Sequence, residues 1–212
     1  MGCDLRPLEK EGCDGVGDHY ESQDCPVARV LELLGERWTF LIVRDCFTGI
    51  SRFGDFIDRL GLPRGVLTVR LAKLVAAGVL RKKKYAPRQY DYVLTERGTT
   101  LWPILFSMAA WGDTQLAPAG GRRRLFSHEA CGARLSADGA CPRCKMAVAP
   151  GDVVISNGPG AELYLRGDPV TRALDAPHRM LTPLVIGGRT PAPHSDDPDE
   201  RSRDRKRTAQ RR

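Results

Sequence analysis

The strongest constraint on this chain is a change of period near residue 79. Before it, apolar residues recur at helical spacing in short bursts that end at glycine; after it, the spacing drops to two. Val27, Val30, Leu31 and Leu34 stand at i, i+3, i+4 and i+7, which predicts a helix closed by Gly35. Trp38, Leu41, Ile42 and Cys46 mark a second helix, stopped near Gly49. Phe53, Phe56, Ile57 and Leu60 mark a third, stopped at Gly61. Leu67, Leu71, Leu74 and Val75 line a fourth, from about Pro63 to Gly78. Val79 to Tyr85 and Tyr90 to Thr95 then predict two strands joined by a four-residue tip, Ala86 to Gln89. A long helix is expected from Glu96 to Leu116, with Leu101, Ile104, Leu105, Met108 and Trp111 on one broad stripe. Four helices, a hairpin and a helix is the order of a winged helix-turn-helix, a mainly α fold with a small β wing (α+β).

Charge narrows what that fold would meet. The 212 residues carry a formal net charge of +7, which favours an acidic partner. No apolar run approaches the ~18 to 20 residues that a spanning helix needs, and the first 20 residues lack a signal-peptide core, so no membrane role and a cytoplasmic location are expected. Between Arg59 and Tyr90 there are nine basic residues and no Asp or Glu. A solvated face usually mixes signs; a one-signed stretch over a recognition helix and wing is the footprint of a phosphate backbone. With Leu67, Leu71 and Leu74 inward, the fourth helix offers Gly65, Val66, Val69 and Ala72, flanked by Arg64, Thr68, Arg70 and Lys73. Small side chains permit close approach, and Arg70 is placed for guanine or phosphate. Lys82, Lys83, Lys84 and Arg88 are placed to hold the backbone beside the wing. The expected partner is a double-stranded DNA operator.

Several ordered motifs resemble those of HxlR-type regulators of the MarR-like superfamily. They are Cys25-Pro26-Val27-Ala28-Arg29, Leu34 to Thr39, Arg52 to Phe56, Leu67 to Leu71, Leu74 to Leu80 and Tyr92 to Gly98, so the resemblance covers 25–118. It implies a homodimeric repressor or activator paired through its first and last helices. It also implies a sensing role for Cys25, because family members that respond to oxidants or electrophiles use a cysteine there. Pro26 at the first helical position puts the Cys25 sulfur at a helix N-terminus with Arg29 one turn on, a setting that activates thiols. Cys46 reads as packing, and Cys3 and Cys13 as candidate resolving thiols. Two positions depart from the family pattern: Gly65, where a larger polar residue is common, and the short wing tip. The effector is left open.

A second constellation follows. His128-Glu129-Ala130-Cys131 and Cys141-Pro142-Arg143-Cys144 are two pairs with two-residue spacing, as a tetrahedral zinc requires. A stretch this poor in core residues needs such a staple, and a structural zinc in a zinc-ribbon-like module over 122–160 is expected, folding apart from the helical core. A disulfide between two of the cysteines, or free thiols, are the alternatives. Residues 1–24 read as a flexible arm and 161–212 as a Pro-rich, then charged tail without fixed structure, interrupted by one apolar patch, Met180 to Ile186, that is a candidate for docking. No nucleophile elbow, phosphate loop or paired-carboxylate arrangement is visible, so an enzyme is not expected. The alternative to a regulator is a zinc-ribbon adaptor that binds protein or RNA.

Overall fold

The computed structural model describes residues 20, 23–161 and 167–188. Cys3, Cys13 and the charged run beyond residue 188 lie outside the described residues. The helical half runs α1 (Pro26–Leu34), α2 (Thr39–Phe47), α3 (Phe53–Leu60), α4 (Arg64–Ala76), β1 (Leu80–Ala86), β2 (Gln89–Leu94), α5 (Glu96–Thr99) and α6 (Trp102–Gln115). Ile42, Phe47, Phe56, Leu67, Leu71 and Leu74 are fully buried, so the inward faces of α2, α3 and α4 close on one another. The apolar stripe of α1 behaves differently: Leu34 is buried, but Val27, Val30 and Leu31 are exposed.

Two local expectations are corrected. The expected single helix from Glu96 to Leu116 is broken at Thr100 and Leu101 into α5 and α6. Pro103, in the first turn of α6, has no N–H to give Thr99 and its ring would crowd that carbonyl. The wing tip is also tighter than the expected Ala86–Gln89. Ala86 pairs with Gln89, and Arg88 takes a left-handed φ of 59°, leaving Pro87 and Arg88 to turn the chain. Thr95 caps α5, accepting from Gly98 N–H and donating to the Gly78 carbonyl at 2.6 Å. A side chain on Gly98 would strike the Val79 carbonyl, so glycine is required where α5 passes the residue before β1.

The remaining elements are β3 (Arg124–His128), β4 (Ala140–Cys141), β5 (Met146–Ala147), β6 (Val153–Asn157), α7 (Pro169–Ala173) and β7 (His178–Arg179). β3, β6 and β7 form an antiparallel three-stranded sheet, while β4 and β5 make a separate two-stranded hairpin. The tail reading fails for 167–179, and the apolar patch Met180 to Ile186 is docked. Val170, Leu174, Met180, Leu184 and Ile186 are buried, Asp168 caps α7, and Leu181 and Leu184 donate to the carbonyls of Phe47 and Gly49 at 2.8 and 3.2 Å. Gly49, at φ 84°, admits this contact because a Cβ there would collide with the Thr182 carbonyl. The expectation of a separate core fails as well. Phe126 of β3 meets Trp102 and Phe106 of α6 edge-to-face at 6.0 and 5.3 Å, and Phe47 meets Trp102 at 5.5 Å, in one continuous apolar cluster. The cysteine-bearing stretch owns too few large apolar residues to bury itself, so it borrows α6.

Candidate nucleic-acid interface and metal-ligand cluster

α4 meets α3 across the turn Gly61-Leu62-Pro63, where Gly61 takes φ 64° and Leu62 is buried beneath. This exposes Arg64, Gly65, Thr68, Val69 and Ala72 on one face, with Val69 58% exposed. Space around Gly65 is open, and the Arg64 guanidinium lies over the Phe53 ring at 5.1 Å. Arg70 and Lys73 are not part of that free face. Both engage Glu36 in the α1–α2 connection, Lys73 at 3.0 Å and Arg70 through its guanidinium. The hydrogen bond from Lys73 chiefly, with the charge of Arg70 added, holds the Glu36 carboxyl below its usual range. Trp38 takes a left-handed φ of 81° at the start of α2, with Arg37 over its ring at 5.2 Å.

On the wing, the alternation of β1 separates the three lysines. Lys82 and Lys84 are exposed, and Lys82 lies 5.7 and 5.8 Å from the rings of Tyr90 and Tyr92 on β2. Lys83 pairs in register with buried Asp91 and lines a cavity of about 160 Å³. Arg88 is exposed at the tip. The structure thus brings together Arg64, Gly65, Thr68, Val69, Lys82, Lys84 and Arg88 as accessible groups, and diverts Arg70, Lys73 and Lys83. Glu36 belongs to the Leu34 to Thr39 motif, but it lies outside the acid-free stretch, so spacing alone does not announce its pairing with Arg70 and Lys73.

Cys25 caps α1 with an extended φ of −139°, Pro26 following at the first helical position. Its sulfur makes no capping hydrogen bond, and Arg29 pairs with Glu32 at 3.0 Å. Cys46 is buried, and burial together with the Asp45 charge pushes its thiol up.

The ligand atoms of His128, Cys131, Cys141 and Cys144 all lie within 4.8 Å of one another. Two like turns hold them. Gly132 N–H donates to the His128 carbonyl at 2.8 Å, and Lys145 N–H to the Cys141 carbonyl at 2.7 Å. Gly132 and Lys145 both take left-handed φ, 69° and 55°. The Cys131 sulfur stands 3.5 Å from that of Cys141, 3.6 Å from that of Cys144 and 3.5 Å from His128 Nδ1. A tetrahedral zinc with ~2.3 Å sulfur bonds needs sulfurs about 3.8 Å apart, so the set fits with small adjustment. Burial opposes ionisation of Cys141, but donors from Cys144, Cys131 and His128 outweigh it and draw the thiol to about 6. Hydrogen bonding with Cys131 and Cys141 pushes Cys144 to about 11. The five cysteines among the described residues are all free thiols, so none of them forms a disulfide.

Residues 33–119 match the HxlR-like helix-turn-helix family. The chain is 37% identical over 141 residues to the uncharacterized HTH-type transcriptional regulators Mb3122 of Mycobacterium bovis and Rv3095 of M. tuberculosis, covering 66% of this chain and 89% of each relative. That alignment is longer than the family match and so takes in residues beyond the helical half. YdeP of Bacillus subtilis, also an HTH-type regulator, is 32% identical over 107 residues, 49% of this chain and 82% of that protein. A solved structure of the redox regulator HypR, in its reduced form, is 30% identical with a TM-score of 0.41, covering 43% of this chain and 94% of HypR. The chain belongs to the HxlR-like helix-turn-helix family.

Proposed function

We propose that this protein is a sequence-specific DNA-binding transcriptional regulator that acts as a homodimer. The observation that carries the reading is the exposed face of α4 beside the Lys82–Lys84–Arg88 wing, with no acidic residue between Arg59 and Tyr90. Arg64, Gly65, Thr68 and Val69 meet the bases, where Val69 and the open space at Gly65 suit a thymine methyl. Lys82, Lys84 and Arg88 hold phosphates. Selection of bound duplexes from a random pool should return a motif with two-fold symmetry. A pool that stays random would favour the adaptor reading instead.

Dimer formation is supported by apolar surface left uncovered on α1 and along α6 to its cap residue Leu116. Val27 is 64% exposed, Trp111 62% and Leu116 65%, more than a soluble monomer usually shows together. Half-sites about one duplex turn apart, roughly 34 to 36 Å, then follow. Light scattering that reports a monomer at micromolar concentration with and without DNA would remove this part. A structural zinc on His128, Cys131, Cys141 and Cys144 in a zinc-ribbon-like fold is supported by the paired turns and sulfur spacing. Elemental analysis should find close to one zinc per chain. Sensing by Cys25 is supported by its place opening a helix with exposed apolar side chains, where an adduct would shift one subunit on the other. Diamide should weaken operator binding about tenfold or more, a loss of at least ~1.4 kcal/mol, in the parent and not in Cys25→Ser.

A further inference from the structure

Glu36 stands between two fixed points of the main chain. Gly35 N–H donates to the Leu31 carbonyl at 2.6 Å, closing α1, and Thr39 N–H donates to the Glu36 carbonyl at 3.1 Å, opening α2. From there the carboxylate reaches α4 and holds two cations at once. Its Oε1 accepts from Lys73 Nζ at 3.0 Å, and its Oε2 pairs with the Arg70 guanidinium. Among the described residues neither cation pairs with any other acid. The Arg70 side chain is 19% exposed, and its Nε is buried without a hydrogen-bond partner. A guanidinium with one donor left dry stays where a carboxylate holds it, since water or a phosphate would satisfy the whole group. Arg70 and Lys73 each adjoin an exposed residue of α4, Val69 and Ala72, so they border the free face without belonging to it.

We propose that Glu36 is a specificity-determining residue: it masks Arg70 and Lys73 and so limits the number of phosphates that α4 can neutralise. The inference rests on the DNA-binding reading above. No acid occurs between Arg59 and Tyr90, so restraint on the α4 cations has to come from elsewhere in the chain. Non-specific binding is electrostatic, whereas operator binding adds base contacts from Arg64, Thr68 and Val69 that fix how α4 lies. Freed from Glu36, Arg70 and Lys73 would join Arg64, Lys82, Lys84 and Arg88 on any phosphate within reach. Random complexes, which are free to shift, gain more from this than the operator complex does. The ratio between the two affinities, which decides occupancy among competing sites, would fall.

The test measures the affinity of the full chain for the selected operator and for a random duplex across a salt series. Glu36→Ala, and Glu36→Gln as a variant that keeps the side chain's size, should bind the random duplex about tenfold or more tightly at ~0.1 M salt. Its salt dependence should steepen by about two units, one for each cation released. Operator affinity should rise less. Glu36→Asp, which retains the charge, should stay near the parent. The gain should vanish when Arg70→Ala and Lys73→Ala are added to Glu36→Ala. A gain that survives there means that the carboxylate only repels phosphate through space, and it overturns the mask. Unchanged random-duplex affinity in Glu36→Ala overturns it too, as do equal gains on both duplexes. A loss on both duplexes would make Glu36 a support of the fold and likewise overturn the proposal. If no operator is selected, the regulator reading fails alone, because the random-duplex series still decides whether Glu36 masks the two cations.

Discussion

The helical half, residues 26–115, and the cysteine-bearing stretch, residues 124–188, reach order by different means. The first buries large side chains at regular spacing, so that α2, α3 and α4 close on Ile42, Phe47, Phe56 and Leu67, leaving only the end of α2 to be covered from 181–184. The second has short strands, two tight turns around four candidate ligands, and a core completed by Trp102 and Phe106 of its neighbour. Regular spacing produces a core from local sequence. Turns and staples produce one only when something else covers it.

The largest effect should come from the staple. Cys141→Ser is expected to lose the metal and open residues 124–157 to hydrogen exchange, since metal affinity at such sites is folding free energy, about 10 to 16 kcal/mol in zinc-finger peptides. Because Phe126 leans on α6, melting of the helical half should fall too; an unchanged melting temperature there would restore two independent cores. Trp102→Ala, next in size, should cost about 3 to 5 kcal/mol and lower both regions in one thermal transition. Two separate transitions in the parent would break the comparison from the other side.

These two expectations differ from what periodicity alone implies, and the reasons are particular. α1 to α4 were legible because each apolar stripe is followed by a glycine, left-handed at Gly49, Gly61 and Gly78. The break before α6 was written in Pro103, but a strong apolar stripe ran across it. Arg88 turns the wing in a left-handed conformation that no glycine announces. Residues 167–179 looked like a tail because Val170 and Leu174 follow no period, whereas Met180 to Ile186 stood out as an apolar patch; the partners of that patch, Phe47 and Gly49, lie far away in sequence. The cysteine cluster was legible from spacing, since each pair sits on one turn. The diversion of Arg70 was not, because its partner Glu36 stands 34 positions earlier.

Smaller effects test the DNA-facing surface of the helical half. Arg64→Ala should weaken operator binding by about 1 to 3 kcal/mol and relax one base position. Arg70→Ala should move stability, by about 0 to 1 kcal/mol, more than operator affinity, because it removes an ion pair with Glu36. Reversal of that order in gel-shift titrations would return Arg70 to the interface. Lys84→Ala should weaken operator and random duplexes alike and flatten the salt dependence by about one unit, read from affinities across a salt series.

The backbone bonds from Leu181 and Leu184 to Phe47 and Gly49 have a consequence for biosynthesis. Ribosomes make the end of α2 about 130 residues before its covering segment. At roughly 5 to 20 residues per second, that is a delay on the order of ten seconds. Throughout it, the nascent chain presents Phe47 and its neighbours without their final cover, as a ready surface for chaperones or for another nascent chain. A ribosome that stalled before residue 178 would release a product able to form α1 to α6 but unable to seal them.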